Sequence, residues 1–139
     1  MLRIDFSSNI NLSKVAPSSG LNLASRAYFC DDSWFKAGKL RPVGLTSVFW
    51  QGNRLSPGNE DIGSVASPPY NYYTYIFVEG RLSYDGREEF KEFYDLRQSI
   101  RDICIQVRGA NVTSVSDSNT VVISKEEIAK ALGVRAKTR

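Results

Sequence analysis

The segment NYYTYIFVEGRLSYDGREEFKEFYDLRQSIRDICIQV, residues Asn71 to Val107, decides the fold expected of this chain. Its first part, Tyr72 to Val78, is aromatic and β-branched and predicts a strand. Both faces of that strand are apolar, with Tyr73, Tyr75 and Phe77 on one and Tyr72, Ile76 and Val78 on the other. Such a strand needs a covering layer on each side, supplied by this chain or by another. Further on, Asp85 followed by Glu88 fits a capping box. Phe90, Phe93, Leu96, Ile100, Ile103 and Val107 then recur at helical spacings of three and four. Glu88, Glu89 and Glu92 near the start and Arg97, Arg101 and Arg108 near the end suit the helix dipole, and Gly109 is a natural stop. The spacing predicts a long helix over about 86–108. Ile103, Ile105 and Val107 also alternate, which leaves a strand emerging after Asp102 as the competing reading.

Upstream the pattern is more broken. Leu2, Ile4 and Phe6 alternate with Arg3, Asp5 and Ser7, a half-buried strand. Residues 8–20 read as an extended segment closed by Pro17-Ser18-Ser19-Gly20. Leu21 to Cys30 is a possible strand, Asp31-Asp32-Ser33 a turn, and Trp34-Phe35 an apolar anchor. Leu45 to Gln51 is a strand bounded by Gly44 and Gly52, and residues 52–69, rich in Gly and Pro, form a long irregular loop. Downstream, Val112–Val115 and Thr120–Ile123 around Ser116–Asn119 predict a hairpin. Ser124 with Glu127 predicts a capped helix over about 125–132, its apolar face made of Ile128, Ala131 and Leu132, ending at Gly133. The expected fold is therefore α+β: one domain over residues 1–139, with a mostly antiparallel sheet, one long packed helix and a short C-terminal helix.

Composition narrows the chemistry. The 139 residues include no histidine, 18 Lys and Arg against 15 Asp and Glu, and 12% aromatics. Without histidine the commonest general base, metal ligand and nucleophile partner are missing. Two isolated cysteines do not make a structural zinc site. Gly38-Lys39 lacks the upstream glycine of a phosphate loop, and the acidic pairs Asp31-Asp32 and Glu60-Asp61 read as turns or solvated surface. No enzyme, metal, cofactor or small-molecule substrate is expected. No apolar run reaches the ~20 residues of a membrane span, and the first residues lack a signal-peptide core. A cytoplasmic protein with Cys30 and Cys104 as free thiols is the default expectation.

What remains is recognition. A surplus of aromatics and long irregular arms points to a non-catalytic assembly protein, a small subunit of a larger particle such as a viral head or tail. Its partners would be copies of itself or other proteins of the assembly, and its location the host cytoplasm and the virion. Tyr70, Tyr72, Tyr73, Tyr75, Trp34 and Trp50 are the candidate interface residues, since aromatics are enriched at interfaces. Arg81 and the tail residues Arg135, Lys137 and Arg139 are the candidate basic contacts. Tyrosines beside basic residues (Arg81, Lys36, Lys39 and Arg41) also fit a module that grips single-stranded nucleic acid by stacking. The mild net charge of +3 makes that the secondary expectation.

Overall fold

A computed structural model describes residues 1–32, 43–56, 67–84 and 87–134, with side chains at all of these except 16–19, 45, 83, 84 and 87–91. In chain order the elements are β1 (Leu2–Ser8), α1 (Leu12–Ser19), β2 (Asn22–Phe29), β3 (Gly44–Ser47), β4 (Phe49–Trp50) and β5 (Asn53–Arg54). They continue with β6 (Tyr70–Ile76), β7 (Glu79–Tyr84), β8 (Arg87–Asp95), β9 (Ile103–Ala110), β10 (Val115–Asp117), β11 (Val121–Ile123) and α2 (Lys125–Leu132). One sheet has the order β1-β6-β4-β5; the second has β10-β9-β2-β3, with β11 also on β9; β7 and β8 form a separate two-stranded ribbon. Every pairing is antiparallel.

The two main sheets face each other across two apolar clusters. In one, Ala27, Phe29, Ile103 and Ile105 of the second sheet meet Ile76 of the first, together with Leu82, Leu96 and Ile128. In the other, Leu23 meets Trp50 and Tyr72, with Val48 and Leu55 alongside. β1 contributes as its alternation predicts, with Leu2, Ile4 and Phe6 turned toward these clusters and Arg3, Asp5 and Ser7 exposed. Each helix closes part of the core: Ile128 of α2 belongs to the first cluster, and Leu12 of α1 packs on the second.

Residues 44–50 pass from one sheet to the other, β3 pairing with β2 and β4 with β6, and the break falls at the fully buried Val48. Side-chain hydroxyls bridge this corner. Thr46 Oγ1 donates to the carbonyl of Tyr75 at 2.8 Å, and Thr74 Oγ1 donates to the carbonyl of Ser47 at 2.9 Å. Ser25 Oγ lies 2.5 Å from Thr74 Oγ1 and 3.1 Å from Thr46 Oγ1. Threonine hydroxyls thus stand in for the missing ladder between β3 and β6. Thr74→Val should cost about 1–3 kcal/mol in urea unfolding, since it takes the donor from the part-buried Ser47 carbonyl and leaves the buried Ser25 hydroxyl short of a partner. Ser25→Ala, which removes no donor to a carbonyl, should cost less; equal costs would show that the carbonyls do not matter.

The long helix expected over about 86–108 is not formed: these residues are β8, a turn and β9. The Asp85-Gly86 pair, taken above as a helix start, is also a strong hairpin signal between aromatic runs. Tyr84 pairs with Arg87 directly across it, and residues 85 and 86 themselves lie outside the description. At the other end of β8, Asp95 builds the turn. Its Oδ1 accepts from the Arg97 amide, and its carbonyl accepts from the amides of Gln98 and Ser99. The helical spacing of Phe93, Leu96 and Ile100 is therefore cut by a turn, and Ile103 to Val107 follow the alternating reading. Tyr94 fastens the ribbon to the core. Its ring meets Phe29 edge-on at 5.6 Å and its hydroxyl donates to the carbonyl of Val43, while burial pushes its pKa up to about 12. A Cβ at Gly80 would sit 3.0 Å from that ring, so a larger residue there would press on Tyr94.

Other expectations are corrected more locally. The stretch 8–20 contains α1, whose first turn is capped by Asn11 accepting from the Lys14 amide, despite Pro17 within it. The strands of residues 112–123 do not pair with each other. Asn111 Oδ1 accepts from the amides of Thr113 and Ser114, so the turn comes earlier, and β10 and β11 both pair with β9. Ser118 bridges the gap between them, donating its amide to the Val107 carbonyl and accepting the Val107 amide at Oγ. α2 has the expected capping box of Ser124 and Glu127, but Ala129 rather than Ala131 is buried beside Ile128. Cys30 and Cys104 are not free thiols: they form a disulfide joining the end of β2 to the start of β9. Among the described residues, no helix is long and apolar enough to cross a membrane.

Candidate functional site: an aromatic sheet face

Period-two geometry sorts the tyrosines of β6. Tyr72, Thr74 and Ile76 point into the core, and Tyr73 and Tyr75 stand on the outer face. Tyr72 is 2% exposed, and its hydroxyl accepts from the Leu12 amide at 2.8 Å, holding the first turn of α1 against the sheet. Burial raises its pKa above the ordinary tyrosine value. Tyr70 is half-buried and packs against the same core. Trp50 is likewise buried in that core, and it and Tyr72 reach the surface only as part of the wall of a cleft beside the sheet. Trp34, Lys36, Lys39, Arg41, Arg135, Lys137 and Arg139 lie outside the described residues.

Register brings other strands to Tyr73. Asp5 and Phe49 are its direct partners on either side, and Phe49 in turn faces Arg54. Directly opposed residues of an antiparallel pair share a face. A row therefore runs across all four strands of the first sheet in the order Asp5, Tyr73, Phe49, Arg54. The rings of Phe49 and Tyr73 stack at 5.4 Å with only 12° between their planes. Tyr75 meets both nearly edge-on, at 5.7 Å from Phe49 and 5.8 Å from Tyr73. Arg3 lies over the Tyr73 ring at 3.9 Å, and its Nε and Nη2 both donate to Asp5 Oδ1. Beside this row is a cleft of about 560 Å³ whose walls include Tyr73, Asn71, Pro69 and the Gln51-Gly52 turn.

The arrangement determines what the face offers. Tyr73 has Phe49 stacked on it and Arg3 over its ring, so it presents its rim and hydroxyl rather than an open flat surface. The charge of Arg3 is matched by Asp5. A platform for nucleobases instead presents free ring faces beside uncommitted cations.

Two further clusters lie elsewhere. Arg81 is on the β7–β8 ribbon, its guanidinium 4.5 Å over the ring of Phe93, which is 70% exposed. It belongs to the ribbon rather than to the tyrosine face. On the second sheet Arg26 is buried, bonded to Asp117 at 3.2 Å and to Gln106 at 3.4 Å, with its Nε and Nη1 lacking hydrogen-bond partners. Asp117 also takes both arms of Arg108, at 2.7 and 2.8 Å. Those Arg108 bonds are the main reason that the Asp117 carboxyl is held below its ordinary range. Among the described residues no group of three or more Cys, Asp or Glu side chains is placed to hold a metal ion.

Sequence reasoning named Tyr73 and Tyr75 but did not name Phe49, Arg3, Asp5 and Arg54, which the structure places beside them. Alternation in β1 places Arg3 and Asp5 on a polar face, but no local signal says that this face adjoins Tyr73. Comparison of the chain with protein-family models, with characterised proteins and with solved structures finds no match.

Proposed function

We propose that this chain is a non-catalytic structural subunit of a larger particle, such as a viral head or tail, and that it acts through protein–protein contacts. The observation that carries the reading is the outer face of the first sheet, where Phe49, Tyr73 and Tyr75 form a ring cluster edged by matched charges. An aromatic centre with a polar rim is how binding energy concentrates at protein contacts. The Cys30–Cys104 disulfide supports an oxidising setting for this subunit, such as the outside of a cell or the surface of a virion.

The test separates a protein contact from a nucleic-acid platform. A labelled oligo-dT is titrated with the chain, and with a Phe49→Ala/Tyr73→Ala variant, at low and physiological salt. The expected result is no saturable binding at physiological salt by either protein. Saturable binding that falls steeply with salt, and drops about thirtyfold in the variant, would replace this reading with single-strand recognition.

A further inference from the structure

We infer that the partner of the aromatic face is a second copy of the same chain, seated face to face about a two-fold axis. This rests on the reading of that face as a protein contact and names its occupant.

The argument is one of charge and symmetry. Across the strands the row reads acid, ring, ring, base: Asp5, Tyr73, Phe49, Arg54. A two-fold axis lying in the interface and along the strands reverses the order of the row in the second copy. Asp5 of one copy then faces Arg54 of the other at both ends, and Tyr73 faces Phe49 at the centre. The patch is complementary to itself, which is what an isologous dimer requires.

The dimensions allow this. Three inter-strand spacings give a row of about 14 Å. Packed sheets rotate by roughly 30° relative to each other, which moves each end of the row by about 4 Å, within the reach of an arginine. The groups at the ends can make the contacts. Asp5 is 68% exposed at its side chain and uses only Oδ1 for Arg3, so Oδ2 is open to a second guanidinium. Arg54 is exposed, and although it has an interaction within its own chain, a guanidinium has five donors to share.

The experiment is a charge-reversal pair followed by sedimentation of the full chain. Wild type is expected to dimerise with rising concentration. Asp5→Lys and Arg54→Glu should each weaken self-association by about tenfold or more, because each sets like charges against each other at both ends. Mixed in equal amounts they should associate again. At one end of the mixed dimer the introduced lysine meets the introduced glutamate, and at the other the native Arg54 meets the native Asp5. Hydroxyl-radical footprinting of wild type gives a check that needs no variant: Phe49, Tyr73 and Tyr75 should lose labelling as concentration rises, while the exposed Phe93 should not.

Single variants that dimerise as well as wild type, or a mixture that does not recover, would overturn the pairing. So would a wild type that stays monomeric with unchanged footprints. If that monomer also leaves oligo-dT unbound, the loss is confined to the self-pairing. If it binds oligo-dT through Tyr73, the protein-contact reading falls with it.

Discussion

Replacing Cys30 and Cys104 together by alanine is expected to lower stability by about 2–4 kcal/mol, among the largest effects open to this chain. The two residues are 74 apart in sequence, and closing so long a loop removes about 4 kcal/mol of conformational entropy from the unfolded chain in the simple polymer model, with measured values usually smaller. The bond also lies where several elements converge. The Cys30 amide donates to the Asp102 carbonyl at 3.0 Å, and Asp102 Oδ1 accepts from the Lys125 amide at 2.8 Å, at the start of α2. Urea unfolding of wild type with and without reductant, and of the double variant, is the measurement. Reductant should bring wild type to the level of the variant and leave the variant unmoved. Two thiols that react freely in the native, unreduced protein would show that the bond does not form.

Asp117→Asn is the second large effect, expected at about 2–3 kcal/mol. Arg26 is 7% exposed at its side chain, and Asp117 is the only carboxylate paired with it among the described residues. Removing one partner of a buried ion pair costs ~3–5 kcal/mol because a charge is left uncompensated. Asp117 is itself 34% exposed, and water reduces that cost. The control is Arg26→Met, which removes the charge at similar volume and should be close to neutral or mildly stabilising. Equal destabilisation by the two variants would mean that packing, not charge, explains the site.

The same carboxylate carries an expected pH dependence. Its folded pKa lies below the ordinary value of 3.8, so its contribution is present in full above that value. It is lost as pH falls from there through the folded pKa. Thermal unfolding between about pH 5 and pH 2 should therefore show a steeper acid-side decline in wild type than in Asp117→Asn. Parallel curves would remove Asp117 from the acid response.

Some of this fold is legible in short windows. Leu2, Ile4 and Phe6 place β1, and Ser124 with Glu127 places α2, because alternation and capping depend on residues no more than four apart. The long segment after Asp85 is misread for the same reason. Phe93, Leu96 and Ile100 fit a helix as spacings, and only the pairing of Arg81 with Phe93 and Gly80 with Tyr94 shows that β8 is held to β7. Thr74 is the most instructive case at the site. By polarity it marks its side of β6 as the wetter one, yet it is fully buried, because Ser25 and Thr46 of the opposite sheet satisfy it. A hydroxyl buried with partners is indistinguishable in sequence from one left in water.

The sequence by itself thus determined that β6 has two apolar faces, and that a chain without histidine lacks the commonest catalytic base and metal ligand. It also set the local frames of β1 and α2. Only the tertiary structure decided which β6 face the core takes, that residues 87–95 and 103–110 are strands rather than one long helix, and that Arg3, Asp5, Phe49 and Arg54 gather around Tyr73. It likewise decided that Cys30 meets Cys104. The physical reason is shared by all of these. They depend on strand register between residues tens of positions apart, and register is set by how two sheets fill one core, a property that no local spacing records.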